Sequence, residues 1–117
     1  MSTSASIARV RKDGTVEATR VNFDGMPDSV GKALFENYKD SNSIDSLFNG
    51  RETRCLDENG PEFYPDACYE VYESVERWWG GHFECYGYIF GEHGDFWSCH
   101  EPNANTKILT LEATKRK

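Results

Sequence analysis

Between residues 82 and 100 the chain places three imidazoles and two thiols among carboxylates: His82, His93 and His100, Cys85 and Cys99, with Glu84, Glu92 and Asp95. Thiolate and imidazole are the ligands zinc prefers, and a cysteine beside a carboxylate-held histidine is one route to nucleophilic catalysis. The spacing argues against both. No C-x2-C or H-x3-H pair occurs, and a single cysteine on a strand is usually a small buried hydrophobe. Gly80-Gly81 and Gly91 to Gly94 lack the lysine and the strand-to-helix context of a phosphate-cradling loop. The expectation is therefore no catalytic residue, no metal, no cofactor, and thiols at Cys55, Cys68, Cys85 and Cys99.

Those side chains need a scaffold, and 117 residues suit one domain that buries roughly two thirds of its unfolded surface. Sixteen aromatics supply most of the large apolar side chains, so an aromatic-rich core is expected. Met1 to Val10 carries neither the basic start nor the apolar run of a signal peptide, and no stretch approaches the ~20 apolar residues that span a bilayer. A cytoplasmic protein without membrane contact is expected, which also favours free thiols.

Along the chain, Thr3 to Val10 and Thr15 to Asn22 read as strands joined at Asp13-Gly14, a strong hairpin turn. After the break at Phe23 to Pro27, Asp28 or Ser29 is placed to cap a helix to Tyr38 with Val30, Ala33, Leu34 and Tyr38 on its apolar side. A short helix over Ser43 to Phe48 follows and packs on the first through Leu34, Ile44, Leu47 and Phe48, stopping at Asn49-Gly50. Arg51 to Pro65 reads as mostly loop, with Thr53 to Leu56 its one candidate strand. Asp66 is placed to cap a third, amphipathic helix from Ala67 to Gly80-Gly81, with Val71, Val75 and Trp78 or Trp79 inward and Glu70, Glu73 and Glu76 outward.

Phe83 to Phe90 and Phe96 to His100 form a hairpin around Gly91 to Asp95. With Phe90 opposite Phe96, the residues Phe83, Cys85, Gly87, Ile89, Trp97 and Cys99 share one face, and Tyr86, Tyr88, Phe90, Phe96 and His100 the other. Lys107 to Glu112 is a last strand, and Ala113 to Lys117 should fray. Strands first, helices next and strands last predict an α+β domain over residues 1–117: a mainly antiparallel sheet with two or three helices on one face.

Charge is segregated along this plan. Residues 1–56 are neutral, residues 57–101 hold eleven acids against Arg77 alone, a net −10, and the segment from Pro102 onwards is basic. The seven acids from Asp57 to Glu76 equal the chain's whole formal charge of −7. Clustered like charge destabilises a compact state, and attraction to a basic partner is one reason to keep it. Direct nucleic-acid binding is disfavoured because such a surface repels phosphates. On the expected helix, Asp66, Glu70 and Glu73 would stand about 5 to 6 Å apart, broadly like phosphates along a strand. Either this face is merely solvated, or it mimics nucleic acid towards a basic groove. Tyr86, Tyr88, Phe90 and Phe96 would form an exposed aromatic face suited to a partner or to a homodimer contact, unless helices or the final strand cover it.

The stretch Asn22-Phe23-Asp24-Gly25-Met26-Pro27, followed by Gly31-Lys32, Leu34, Glu36-Asn37-Tyr38 and Ser46-Leu47, resembles a family of small, largely uncharacterised bacteriophage-encoded proteins. Its members carry a His-Trp-Asp-Gly-Tyr-Pro element, a Gly-x2-Leu-x3-Tyr helix and a Tyr-x-Tyr-x-Phe strand with an aromatic return. The last pair corresponds here to Tyr86 to Phe90 and Phe96-Trp97. The likeness covers most of the first 50 residues and the final hairpin, and Asn22, Phe23 and Met26 depart from it.

The resemblance implies a phage product acting in the cytoplasm of a host cell. The expected role is a non-enzymatic inhibitor of a nucleic-acid-handling or defence complex, such as an anti-CRISPR. Asp66, Glu70, Glu73, Glu76, Tyr86, Tyr88 and Phe96 are its expected partner-binding residues. The rival expectation is a module sequestering a small signalling nucleotide, which would need Arg9, Arg11, Arg20, Arg51 and Arg54 to converge on one cavity.

Overall fold

The computed structural model describes residues 3–23, 25–48, 51–57, 60–67, 70–81, 86–101 and 107–108. The opening hairpin follows from its turn. Asp13 accepts hydrogen bonds from the Thr15 N–H (2.9 Å) and hydroxyl (2.6 Å), and Gly14 adopts φ 89°, a value that side chains resist. These contacts align β1 (Ala5–Val10) antiparallel with β2 (Val16–Val21), from Val10 opposite Val16 to Ala5 opposite Val21.

The sheet grows outward from that pair. β6 (Tyr86–Phe90) runs parallel to β1, and β7 (Trp97–His100) and β8 (Lys107–Ile108) follow antiparallel. On the other side, β2 meets β3 (Arg51–Asp57) at Val21 opposite Thr53, and β3 pairs antiparallel with β4 (Gly60–Ala67). β5 (Glu70–Tyr72) pairs antiparallel with the start of β2. The spatial order is β4-β3-β2-β1-β6-β7-β8, with β5 beside β2. This is an α+β fold on a mixed, mostly antiparallel sheet.

The stretch expected to be mostly loop is thus a hairpin, β3–β4. Pro61 and Pro65 stand on β4, at the end of the strand order among the described residues, the edge position that tolerates a missing N–H.

Helices cover both faces of the sheet. A turn with i→i−5 bonds over Pro27–Gly31 (Gly31 N–H to Met26 O, 3.4 Å) leads into α1 (Lys32–Asn37), and α2 (Ser41–Asp45) follows. The first helical stretch therefore starts at Pro27 rather than from a cap at Asp28 or Ser29: proline's fixed φ suits a first helical position. Val30, Ala33, Leu34, Tyr38, Ile44 and Leu47 are buried with Ala5, Ile7, Val21, Tyr88 and Trp97, and Phe48 packs at the margin. α3 (Val75–Gly81) lies on the opposite face, where Trp78 is buried with Ala8, Val16, Ala18 and Ile89. Small residues at the centre, Ser6, Ala8, Ala18 and Gly87, leave the depth that the indoles occupy. Double coverage explains why β1 and β2 lack a clean period of two.

α2 begins two residues earlier than its apolar residues suggest because Asp40 caps it. The Asp40 carboxylate accepts the Ser43 N–H at 2.8 Å, and the Ser43 hydroxyl accepts the Asp40 N–H at 3.4 Å. The hydrogen bonds from the Ser43 N–H and then its side chain hold the Asp40 carboxyl below the ordinary aspartate pKa. A depressed folded-state pKa means that the cap's contribution is complete above the ordinary aspartate range and is lost as pH falls through the depressed value. Amide exchange at Ser43 is expected to accelerate over that interval in the native protein. In Asp40→Asn, which keeps an acceptor but no titrating proton, exchange should not follow pH in this way; an identical acid profile in both would show that Asp40 is not the titrating cap.

Candidate functional site

β7 separates the imidazole and thiol chemistry. Its residues alternate between faces, so Cys99, opposite Tyr88, is buried in the aliphatic and aromatic core under α1 and α2. His100, opposite Gly87, lies on the α3 face. There its Nε2 stands 2.8 Å from Glu92 Oε1, and its ring lies edge-on to Trp78 at 5.3 Å and tilted to Trp79 at 5.1 Å between centroids. His93 Nε2 is 3.7 Å from the same Glu92 oxygen. Ser98 is also fully buried, and its hydroxyl has no hydrogen-bond partner among the described residues, so it does not bond to His100. Among the described residues, nucleophile, base and orienting carboxylate therefore do not converge here. Among the described residues no three His, Cys, Asp or Glu side chains are grouped to hold a metal ion. His82, Glu84 and Cys85 lie outside the described residues.

The acidic segment expected as one helix is divided among several elements. Asp66 belongs to β4 instead of standing before a helix, and Glu70 belongs to β5. Only Glu76 lies within α3, in its first turn. Two local features decide this against the helical period. Val71 and Tyr72 pair with Glu17 and Val16 of β2, which seats Tyr72 against the core on the α3 face. Ser74 then caps α3: its hydroxyl accepts the Arg77 N–H at 3.2 Å, and its carbonyl the Trp78 N–H at 3.0 Å. The signals were present in the β-favouring Val71-Tyr72 pair and in a serine directly before Val75-Glu76. The result is a compact acidic run, Glu70 on β5, Glu73 at the bend and Glu76 at the start of α3, all exposed. Among the described residues none of the three has a basic partner.

The basic residues of the opening hairpin are engaged elsewhere. The Arg9 guanidinium bonds to Glu17 at 2.9 Å and to Asp45, and it lies 4.9 Å over the Phe48 ring. Partial burial works against its charge, yet the bonds to Asp45 and Glu17 outweigh this and raise its pKa. Arg11 reaches Glu17 at 3.4 Å. Arg20 pairs with Ser6, whose side chain meets Trp78, so Arg20 belongs to the other face of the sheet. Arg9 and Arg11 thus do not converge with Arg20 on one cavity, the arrangement nucleotide sequestration would require. The side chains of Arg51 and Arg54 lie outside the described set.

The aromatic face is corrected by one residue of register. Phe90 lies opposite Trp97, not Phe96, so Tyr86, Tyr88, Phe90, Trp97 and Cys99 share the side under α1 and α2. Tyr88 is completely buried, its hydroxyl donating to Gly25 O at 2.6 Å, and it is a core residue rather than a partner anchor. Tyr86 is half-buried and stacks on Tyr88. Phe96 falls in the loop before β7 and remains exposed, as do Phe23 and Met26 near the anchored Gly25. Val71, which the sequence assigned to a helix interior, is the most exposed large hydrophobic residue among the described residues, at 49%. No described helix is long and apolar enough to cross a membrane. Compared with protein-family models, with curated proteins and with solved structures, the chain has no match.

Proposed function

We propose that this is a small acidic phage protein that works stoichiometrically inside the host cell, binding a basic surface of a host nucleic-acid-handling or defence complex and blocking it. One observation carries the reading. Glu70, Glu73 and Glu76 stand exposed on one short run without basic partners among the described residues, while Arg9 and Arg11 neutralise Glu17 and Asp45 instead. Unneutralised charge of one sign at the surface steers association with a surface of the other sign and is a weak source of stability in itself. Asp66, on β4, is included in the proposed contact, and Phe96 adds exposed apolar area on the β6–β7 loop.

The test is immobilised full-length protein challenged with bacterial lysate at low and at high salt, beside the triple variant Glu70→Lys, Glu73→Lys, Glu76→Lys. A specific partner is expected to be retained at low salt, to be lost at high salt, and to associate about tenfold or more slowly with the variant. Because the three positions are exposed, the variant should fold as the parent does, which circular dichroism checks. Equal capture by both proteins at low salt would remove the acidic run from the mechanism.

A further inference from the structure

The pair Asp13-Gly14 is able to react with itself. Closure of a five-membered ring joins the Gly14 backbone nitrogen to Asp13 Cγ, and glycine carries no Cβ to hinder the approach. Both residues are exposed, and a Cβ built on Gly14 would meet no atom of the described residues within 4 Å. In the closure the N–Cγ bond forms, the Cγ–OH bond breaks, and the hydroxyl leaves with the amide proton as water. Water then adds back. Hydrolysis at Cγ restores aspartate, whereas hydrolysis at the main-chain carbonyl leaves Gly14 joined through Cγ. That isoaspartyl link carries Asp13 Cβ in the main chain and the carboxylate on Cα. It is an isomer of the starting chain, and water is the only co-reactant.

The closed hairpin restrains each participant. Asp13 Oδ1 accepts both the Thr15 hydroxyl at 2.6 Å and the Thr15 N–H at 2.9 Å, which holds the carboxylate towards Thr15. The bonds from that hydroxyl and then from the N–H keep the Asp13 carboxyl below the ordinary aspartate pKa. An ionised carboxylate has no hydroxyl to release as water. The Gly14 N–H donates to Arg11 O at 3.0 Å, so freeing that nitrogen breaks a bond of the turn. All three restraints sit in an exposed turn, where local opening costs far less than global unfolding.

We propose that Asp13-Gly14 is a site of spontaneous isoaspartate formation, suppressed by the closed β1–β2 turn through Thr15, so that the chain modifies itself there when the turn opens. The consequence reaches the sheet. An extra main-chain atom lengthens the turn that sets Val10 opposite Val16, and β1 and β2 both have strands on either side. Isomerisation thus turns a reversible opening into a lasting defect beside the central strands.

The experiment incubates the full chain at neutral pH, both natively folded and unfolded in urea, beside the folded variants Thr15→Val and Thr15→Ser. Isoaspartate at residue 13 is read by electron-transfer fragmentation, which separates it from Asp24-Gly25, Asn49-Gly50 and Asn59-Gly60, pairs open to the same ring closure. Thr15→Val removes the hydroxyl and keeps the N–H, whereas Thr15→Ser keeps both; circular dichroism checks that each variant folds. The chain in urea is expected to form isoaspartate at residue 13 about tenfold or more faster than the native chain, having lost several hydrogen bonds. Native Thr15→Val should react about two- to tenfold faster than the parent, the loss of one such bond, and Thr15→Ser at the parent's rate. No isoaspartate at residue 13 in urea would remove the site, and equal rates in urea and in the native chain would overturn suppression by the turn, whether or not the valine variant folds. A folded Thr15→Val as slow as the parent, or Thr15→Ser as fast as Thr15→Val, would overturn the role of the hydroxyl.

Discussion

Truncating Trp78 to alanine is expected to cost about 3–5 kcal/mol of folding stability, the range for removing a buried tryptophan side chain. Trp78 is completely buried and is the largest such residue. Its indole N–H donates to the Ser6 hydroxyl at 2.8 Å, so truncation also strips a buried polar group of its partner. The ring fastens α3 to the sheet, lying among Ala8, Val16, Ala18 and Ile89 with the His100 ring edge-on to it. Set against the ~5–15 kcal/mol that holds a typical domain together, such a loss leaves little margin. Urea unfolding followed by the remaining tryptophans, Trp79 and Trp97, would measure it. A midpoint change equivalent to less than ~1 kcal/mol, well below the cost of a cavity, would mean that α3 does not pack on the sheet as described.

The second large effect comes from adding one methyl group at the opposite partner. A Cβ built on Gly87 would stand 2.8 Å from Trp78 Cη2 and 2.8 Å from Trp79 Cζ3. The Trp78 ring is enclosed by the core, and the partly buried Trp79 is tilted against it and against His100. Gly87→Ala is expected to destabilise by about 1–3 kcal/mol, as overpacking does. Trp78→Phe removes the outer indole atoms that the new methyl group meets, so the penalty of Gly87→Ala should shrink in that background. Residues in contact couple in this way, whereas distant ones add. Strict additivity of the two substitutions would refute the packing of Gly87 beneath the Trp78 ring.

The acidic run shows how local and tertiary signals compete. From Ala67 to Gly81 the apolar residues recur at helical spacing, and the glutamates fall where an outward face would put them. The period is genuine only from Val75 onwards. Before it, Val71 and Tyr72 find a ladder on β2 that a helix could not use, and the pairing overrides the weak helical preference of a short segment. The surface character of Glu70, Glu73 and Glu76 survives because charge stays in water in either conformation. Their geometry does not survive, and with it goes the even, phosphate-like spacing of a single helix.

By itself the sequence determined what short-range chemistry controls. The Asp13-Gly14 turn, the apolar set of Val30, Ala33, Leu34, Tyr38, Ile44 and Leu47, the final hairpin and the α+β class all follow from residues within a few positions of one another. Tertiary structure alone decided which strands are neighbours, since β1 beside β6 and β2 beside β3 and β5 join residues far apart in the chain. It also decided that two faces are covered rather than one, and that Phe90 meets Trp97. Pairing across a sheet is a contest among distant partners settled by the burial of whole faces, and a change of one residue in register exchanges those faces while leaving the local pattern intact.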